Sequence, residues 1–417
     1  MNESITFNNA QYALDLVKTI CTQVGPGLPG SSQEKERAAI IKERLESHLG
    51  VANVSVEEFT CAPDAFLNPD LGLLMIITAL LNIFLGRIPG ISPWLMSGVA
   101  LALSIIAPLI FLIEFFFGVE LIDRFFKKKQ SVNVVGRLVP PENKTVKRVL
   151  ILSGHHDSAP ENIWLLYLKY GFFALSATFI IGLVTLLVIN IIQLIGLIAG
   201  NANIIRLGTL GWALLVYPVV PAIIFALFPA RWEKSAGTVP GAADNLSACA
   251  LVTAMCRYLA NNPECIPEDT EIRFITFGSE EAGCRGSRRY VARHLEELKR
   301  LDVRVLNYET IAHPEVVILT SETNGSVKNS PEMVKSVVAA AQRARVPYRV
   351  KPATLGTGSD AGPFSQAGLK ATTLIGFNTQ QMVAFYHQRS DQPEVLTADP
   401  LLNVLKLTLE WVRNGGE

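Results

Sequence analysis

Seven side chains suited to metal or acid–base chemistry lie just after short apolar runs or in loops. They are two histidines and five carboxylates: His155, Asp157, Asp244, Glu280, Glu281, Glu309 and His387. Imidazole nitrogens and carboxylate oxygens bind divalent zinc, and a carboxylate that binds no metal can act as a general base. The set is therefore a candidate zinc site that carries its own base.

The apolar runs before these residues alternate with helix-like stretches. The runs that we predict as strands are 54–59, 132–138, 149–152, 272–277, 303–307 and 371–375, and the predicted helices are 245–259, 287–298, 331–344 and 400–412. Ser31 and Glu34 fit the start of an earlier helix that stops at Gly50. The alternation predicts an α/β fold with a mixed, largely parallel sheet flanked by helices. In such sheets functional residues gather beyond the carboxyl ends of the strands.

Four long apolar runs stand out from the rest of the chain, at 71–85, 94–117, 172–199 and 204–228. A helix needs about 20 apolar residues to cross a bilayer, and three of the runs reach that length. The first is short and needs neighbouring residues, local thinning or a re-entrant path. We predict two transmembrane hairpins, at 67–126 and 163–230, inserted into a catalytic domain formed by 1–66, 127–162 and 231–417. Buried helices of a soluble core are the alternative.

Charge indicates the orientation of these hairpins. The chain has 37 basic and 37 acidic residues, so its net charge gives no reason to expect a nucleic-acid partner. The predicted hairpin tips carry only Arg87 and Arg206. Because basic loops stay on the cytoplasmic side, we expect the catalytic domain to be cytoplasmic. The basic residues on that side are Arg124, Lys127, Lys128, Lys129, Lys169, Arg231 and Lys234. The six cysteines form no regular framework and are consistent with reduced thiols.

Five motifs follow one another along the chain outside the apolar runs. They are His-x-Asp from His155, Pro-Gly-Ala-x-Asp-Asn around Asp244, Glu-Glu-x-Gly-x-x-Gly-Ser from Glu280, the strand-end acid Glu309, and Tyr-His-x-x-x-Asp around His387. This order resembles the co-catalytic di-zinc exopeptidases, which include bacterial leucyl-type aminopeptidases, glutamate carboxypeptidase and the divergent glutaminyl cyclases. The resemblance covers nearly all of the chain outside the apolar runs.

The resemblance implies two zinc ions and a role for each residue. His155 and Glu309 would each hold one of the two ions, Glu281 and His387 would take the other ligand positions, and Asp244 would bridge both. Glu280 would be the general base that takes a proton from zinc-bound water, whose pKa zinc lowers to about 7. Asp157 would assist catalysis by orienting the imidazole of His155. His156 is the alternative to His155 as a ligand.

The sequence departs from the family pattern at two places. Glu309 stands where most members have Asp, which can alter the metal spacing or the preferred metal. Residues 358–364 resemble the family's Ser-Asp-His-x-x-Phe loop, with Ala361 in place of the His. We expect Ser359, Asp360 and Phe364 to shape the substrate pocket, with Asp360 supporting either the pocket or His387. The family's substrate preference therefore does not carry over directly.

The predicted function is that of a membrane-embedded zinc aminopeptidase. The second hairpin begins within about ten residues of Asp157. Because a connecting segment this short can span only a limited distance, the site must lie near the bilayer. We therefore expect the substrate to be a peptide or hydrophobic amide at or near the membrane. The alternatives are a glutaminyl-cyclase-like acyltransferase with one zinc, an amidase of N-acylated lipids, and a non-catalytic membrane scaffold.

Overall fold

The computed structural model describes residues 5–66, 71–140, 145–227, 238–354 and 357–417. Arg231 and Lys234, two of the basic residues predicted to lie on the cytoplasmic side, are outside the described residues. The chain divides into two compact units. The first, here called the α/β unit, contains Met1–Phe66, Phe116–Glu161 and Ser235–Glu417. The second, the apolar unit, contains Leu67–Phe115 and Asn162–Lys234.

One mixed sheet organises the α/β unit. The strands in chain order are β1 (Val54–Cys61), β2 (Lys129–Leu138), β3 (Arg148–His155), β4 (Thr270–Phe277), β5 (Asp302–Glu309), β6 (Val316–Leu319), β7 (Ser321–Glu322), β8 (Val327–Lys328), β9 (Tyr348–Lys351) and β10 (Lys370–Ile375). Among the described residues, the sheet has the order β1-β2-β4-β3-β5-β10-β6-β9, and β7 pairs with β8 alone. β3 runs parallel to β4 and β5, and β10 runs parallel to β5. The predicted mixed, largely parallel sheet is confirmed.

Helices cover both faces of this sheet. In chain order the α-helices among the described residues of both units are α1 (Phe7–Gln23), α2 (Ser32–Leu49), α3 (Leu71–Ile83), α4 (Pro93–Phe117), α5 (Ile163–Leu168), α6 (Gly171–Ile198), α7 (Ala202–Arg206), α8 (Thr209–Leu227), α9 (Ser247–Asn261), α10 (Arg285–Leu298), α11 (Pro331–Ala344), α12 (Ala361–Gln366), α13 (Thr379–Ala384) and α14 (Ala398–Arg413). Leu150 and Leu152 of β3 pack in one core with α1, α2, α9, α11 and α14. Val149 and Ile151, which point the other way, pack with α10 and α12.

The predicted helix boundaries hold where a cap fixes them. Ser31 Oγ accepts a hydrogen bond from the Glu34 N–H (3.0 Å), and α2 ends before Gly50, which has a φ of +82°. The helix predicted from residue 245 begins instead at Ser247. The backbone angles of Asp244 and Asn245 are not helical, so these two residues belong to the turn before α9.

The apolar unit consists of helices α3 to α8. Three of its described segments are long and apolar enough to cross a membrane: Pro93–Phe117, Gly171–Ile198 and Ala202–Ile224. α3 is shorter, as its sequence predicts. Gln193 of α6 donates hydrogen bonds to the carbonyls of Asn82 (3.0 Å) and Ile205 (2.9 Å). Interhelical bonds of this kind stabilise bundles whose helices face lipid.

Residues 116–126 belong to the α/β unit, although the sequence analysis placed them in the first hairpin. Ion pairs explain the difference. Arg285, buried at the start of α10, contacts Glu120 and Asp123 at 3.0 Å each. Arg289 forms two hydrogen bonds with Glu120, at 2.7 and 2.6 Å. The first hairpin region therefore ends before the predicted boundary at residue 126, although the apolar helix α4 ends where its sequence predicts.

Candidate metal and catalytic site

The candidate residues meet at the carboxyl ends of three adjacent parallel strands. His155 is the last residue of β3, and Glu309 is the last residue of β5. Glu280 and Glu281 follow the end of β4, which lies beside β3. Asp244 lies in the turn before α9, and His387 lies in the loop after α13. The sheet topology therefore brings side chains from five chain segments to one place.

Asp244 is the centre of the cluster, because its two carboxylate oxygens face different histidines. Oδ1 lies 3.4 Å from His155 Nε2, and Oδ2 lies 3.1 Å from His387 Nε2. The same nitrogen of His155 is 3.5 Å from Glu309 Oε1, and that of His387 is 3.2 Å from Glu281 Oε1. Two groups of three potential ligands thus share one aspartate.

The donor set fits divalent metal ions of the zinc type. In the groups His155–Asp244–Glu309 and Asp244–Glu281–His387, the ligand atoms lie within 4.8 Å of one another. Each group offers one imidazole nitrogen and two carboxylates, and these are common zinc ligands. A third, overlapping group contains His155, Glu280 and Glu281.

Glu280 lies at the edge of the cluster. Its Oε2 is 3.7 Å from His155 Nε2, and its Oε1 accepts a hydrogen bond from Cys284 Sγ (3.2 Å). Its side chain is 13% exposed, which is more than that of Glu281 at 6%. Burial, together with the nearby carboxylate of Glu309, raises the pKa of Glu280 well above its usual range, although His155 opposes the shift. A carboxylate of raised pKa is suited to accept a proton.

Asp157 lies behind the ligands. Its Oδ1 and Oδ2 accept hydrogen bonds from the backbone N–H groups of Glu280 and Glu281, both at 3.0 Å. Oδ1 is also 3.4 Å from His155 Nδ1, on the side of the ring away from Asp244. Burial opposes ionisation of Asp157, but His155 outweighs burial and lowers the pKa of the carboxyl. Asp157 was predicted to assist catalysis by orienting His155, and its contacts are those of a residue that positions both this imidazole and the Glu280–Glu281 turn.

Two further residues orient the carboxylate ligands. Asp391 Oδ1 and Oδ2 accept hydrogen bonds from the N–H groups of Ala243 (2.8 Å) and Asp244 (3.0 Å). Asn245 Nδ2 donates to Glu309 Oε2 at 3.1 Å, which leaves Oε1 on the side of His155. Neither residue was predicted to have a role at the site. Both nevertheless lie inside the motifs that carry the family resemblance.

The electrostatics of the cluster are those of closely packed opposite charges. Burial disfavours protonated His387, but Glu281 and Asp244 outweigh it and raise the pKa of the imidazole to about 10. Burial likewise opposes a charged His155, and Glu309 with the two aspartates raises its pKa above the usual range. Burial raises the pKa of Glu309 to about 8. The two histidines therefore stabilise the carboxylate of Asp244, whose pKa they lower against the effect of burial, but they do not offset burial at Glu309.

His156 does not face the cluster. Its side chain is fully buried, its backbone N–H donates to Phe277 O (2.9 Å), and it belongs to none of the ligand groups among the described residues. Burial lowers the pKa of its imidazole to about 4. Of the two adjacent histidines, it is His155 that faces Asp244 and Glu309.

The residues predicted to shape the substrate pocket are buried. Phe364 is 0% exposed and packs against the rings of Phe277 and Tyr290, so it belongs to the core and does not line a pocket. Ser359 is also buried, and its Oγ donates to Glu322 Oε2 (2.8 Å). Asp360 is fully buried, and no hydrogen bond links it to His387 within the described part of the chain. The expected pocket role is wrong for Phe364, because its ring fills the core.

An aromatic stack next to His387 was not predicted. The Tyr386 ring lies 3.9 Å from that of His387, with 19° between the planes, and Phe377 stacks on Tyr386 at 5.2 Å. Tyr386 and Phe377 are half-buried. The tyrosine of the Tyr-His-x-x-x-Asp motif was the signal for this stack.

Comparison with known proteins agrees with this geometry. Residues 232–412 match the family model "Peptidase family M28". That part of the chain is therefore similar to peptidase family M28. It includes Asp244, Glu280, Glu281, Glu309 and His387, whereas His155 precedes it.

Individual relatives agree with the family match. The chain is 32% identical over 172 residues to aminopeptidase YwaD of Bacillus subtilis (strain 168), an alignment that covers 39% of this chain and 35% of that protein. The match thus spans about a third of the relative's length. BSAP, a zinc aminopeptidase from Bacillus subtilis, aligns in three dimensions with a TM-score of 0.57, at 17% identity and covering 99% of this chain and 96% of that one.

A glutaminyl cyclase from an Acidobacteriales bacterium aligns with a TM-score of 0.56, at 14% identity and covering 100% of this chain and 97% of that one. Because the sequence identities are so low, these two structural alignments show only that the fold is shared with the zinc aminopeptidase and the glutaminyl cyclase.

Proposed function

We propose that this protein is a zinc-dependent aminopeptidase that acts on peptides at or near a membrane. One observation carries the proposal: Asp244 turns one oxygen toward the His155 group and the other toward the His387 group, with Glu280 beside them. One zinc would lie among His155, Asp244 and Glu309, and a second among Asp244, Glu281 and His387. The match of residues 232–412 to the family model of peptidase family M28 supports this assignment.

Zinc ions held there would acidify water and polarise the carbonyl of the scissile bond. The chain's own contribution is proton transfer and positioning. Glu280 takes the proton from the attacking water and passes it to the leaving amine. Both transfers require its carboxylate to lie within hydrogen-bond reach of the reacting atoms. Asp157 holds the two amides of the Glu280–Glu281 turn, and so keeps the base and the adjacent ligand in fixed directions.

Peptides at a membrane are the proposed substrate because the catalytic part of the chain is interrupted by apolar helices. Three described segments have the length and composition of membrane spans. The chain enters the apolar unit at Asn162, five residues after Asp157. A single terminal helix would suffice as an anchor, whereas insertion next to a site residue ties the site to the membrane segments. Basic residues around the α/β unit support a cytoplasmic location for it.

The test is an assay of the purified full chain with parallel metal analysis. Aminoacyl, N-acyl and glutaminyl substrates are compared in lipid bilayers, each as a short soluble and a hydrophobic version. We expect two zinc ions per chain, turnover of aminoacyl substrates and a preference for the hydrophobic versions. One zinc with cyclisation of glutaminyl peptides would instead indicate an acyltransferase, and equal turnover of soluble substrates would leave the helices as an anchor only.

Substitutions separate the base from the ligands. Glu280→Gln is expected to lower kcat by on the order of 10²–10⁴-fold with the zinc content unchanged. Glu281→Ala is expected to lose zinc and activity together. Glu296→Gln, at an exposed position on α10, is the matched control. Loss of zinc from Glu280→Gln together with its retention in Glu281→Ala would show that the two roles are reversed.

A further inference from the structure

Glu34 is a buried carboxylate that is distant in sequence from all the candidate ligands. It lies in the first turn of α2, and its side chain is 0% exposed. Its Oε1 accepts hydrogen bonds from Ser131 Oγ (2.9 Å), Ser279 N (2.7 Å) and Ser279 Oγ (2.9 Å), and its Oε2 accepts one from Gly30 N (2.8 Å). A buried carboxylate is costly unless hydrogen bonds of this kind compensate it. Two of the four donors belong to one residue, Ser279.

Ser279 has a backbone conformation that side chains other than glycine rarely adopt. Its φ is +54°, in the left-handed region, and it is fully buried. It follows the end of β4 and immediately precedes Glu280. A non-glycine residue in this region persists only where its surroundings hold it. The two hydrogen bonds to Glu34 are among the contacts that hold it, together with the bonds that Ser279 accepts from the Arg285 N–H (3.1 Å) and from Cys61 Sγ (3.6 Å).

Consecutive amides of this turn are held by two different carboxylates. The N–H of Ser279 donates to Glu34, and the N–H groups of Glu280 and Glu281 donate to Asp157. Within the described residues, no hydrogen bond joins Glu34 to Glu280 or to a ligand candidate. Its hydrogen bonds therefore reach the site through Ser279.

We propose that Glu34 is a positioning residue for the proposed reaction: it holds Ser279 in the left-handed conformation and thereby directs the side chain of Glu280 into the cluster. The inference rests on the proposed role of Glu280 as the base. Release of Ser279 would rotate the backbone before Glu280, while Asp157 keeps its own bonds to the following amides. The effect should therefore fall on kcat more than on KM or zinc content.

Three substitutions test this role. Glu34→Met keeps the length of the side chain but removes every acceptor, and we expect kcat to fall by on the order of 10²-fold, the cost of a misplaced catalytic group. Glu34→Gln keeps one oxygen, which can still accept the bonds from Ser279, and should retain most of the wild-type kcat. Glu36→Gln, at an exposed position in the same helix, is the control and should match the wild type. KM and the zinc content should change little in all three.

A second variant distinguishes positioning from loss of stability. Glycine adopts a positive φ without strain, so Ser279→Gly in the Glu34→Met background should recover part of the lost kcat. If Glu34→Met instead owes its defect to general destabilisation, the added glycine will not restore activity. That outcome, or an unchanged kcat in Glu34→Met, would overturn the inference.

Hydrogen exchange gives a readout that does not depend on activity. We expect residues 278–284 of Glu34→Met to exchange faster than in wild type, with residues 148–155 of β3 unchanged. Unchanged exchange at 278–284 would overturn the inference whatever the activity. If the wild type shows no peptide hydrolysis, the proposed function fails, and the exchange measurement still decides whether Glu34 holds the turn.

Discussion

Asp391 fixes the backbone of Asp244: its Oδ2 accepts a hydrogen bond from the Asp244 N–H at 3.0 Å. Its other oxygen accepts from the preceding amide, that of Ala243, at 2.8 Å. Asp157 makes the same pair of bonds to the amides of Glu280 and Glu281. Two buried aspartates thus hold two pairs of consecutive amides, and each pair includes a candidate ligand.

Asp391→Asn should weaken zinc binding at both positions, because both ligand groups contain Asp244. The amide of asparagine can accept only one of the two backbone bonds and places an NH₂ group against the other N–H. Loss of a residue that orients a ligand costs about 10–100-fold in metal affinity. Competition with a zinc chelator measures the change, and Glu394→Gln in the same loop, an exposed site, is the control. An unchanged affinity with lowered thermal stability would mean that Asp391 supports the fold only.

Glu309→Asp tests why this chain has a glutamate at the end of β5. The Glu309 carboxylate reaches His155 with Oε1 and is held by Asn245 through Oε2. An aspartate is shorter by one methylene, so it cannot keep both contacts without movement of β5. We expect the zinc affinity of the His155 group to fall by at least about tenfold, as it does when residues that orient metal ligands are changed. The His387 group should keep its ion. Titration of the two sites by calorimetry distinguishes this result from equal affinity, which would show that the backbone adapts.

The sheet and most helices were predictable because their signals are local. Ser31 and Gly50 mark the ends of α2, and the β-branched runs coincide with β1 to β5 and β10. The short strands β6 and β9 and helix α1 were not predicted. β6 and β9 are only four residues each, too short for a periodic pattern, and they become strands through pairing with distant partners.

The candidate ligands were predictable from motif order, but their supports were not. Glu34 lies in the predicted start of α2 and Asp391 in the Tyr-His-x-x-x-Asp motif, yet nothing in the sequence indicates that they accept bonds from Ser279 and Asp244. Those contacts join residues that are 245 and 147 positions apart. For Phe364, by contrast, a motif visible in the sequence led to a prediction that its burial does not support. An aromatic residue in a family pocket motif has its ring in the core here, because Phe277 and Tyr290 pack around it.

The buried ion pairs of Glu271 predict that the stability of the fold depends on pH. This effect does not involve the metal site. Its buried carboxylate accepts hydrogen bonds from Arg137 (2.7 and 3.1 Å) and Arg273 (2.8 Å). Burial opposes ionisation, but the two arginines outweigh it, and the pKa of Glu271 is lowered in the fold. A lowered pKa means that the unfolded chain binds a proton more readily. The contribution to stability is therefore present above the unfolded pKa of about 4.3 and is lost as pH falls through the folded pKa.

Glu271→Gln should accordingly lower the free energy of unfolding at pH 7 by about 2 kcal/mol, the value of hydrogen bonds to charged groups. The difference from wild type should shrink as the pH falls below about 4, because the wild-type carboxyl then becomes neutral as well. Thermal unfolding of both proteins at pH 7 and pH 3 measures this, with Glu264→Gln at an exposed position as the control. A difference that stays constant with pH would contradict the assigned ion pairs.

The orientation of the apolar segments gives the last prediction. Arg124 and Lys127–Lys129 follow α4, whereas the connections on the other side of the predicted hairpins hold few basic residues. Because basic loops are retained in the cytoplasm, we expect the α/β unit on the cytoplasmic side. Single cysteines at Ser92, which precedes α4, and at Asn203, near the start of α7, should then lie outside the cell. A cysteine at Gln130, an exposed position on β2, should lie inside.

An impermeant thiol reagent applied to intact cells measures this arrangement. Ser92→Cys and Asn203→Cys should react at once, and Gln130→Cys only after the membrane is permeabilised. The unaltered chain is the control, because five of its six cysteines are buried and Cys21 is half-buried. Reaction of Gln130→Cys in intact cells, with protection of the other two, would place the site outside and overturn the cytoplasmic assignment. Its substrates would then be peptides on the outer face of the membrane, since the site and Gln130 belong to the same compact unit.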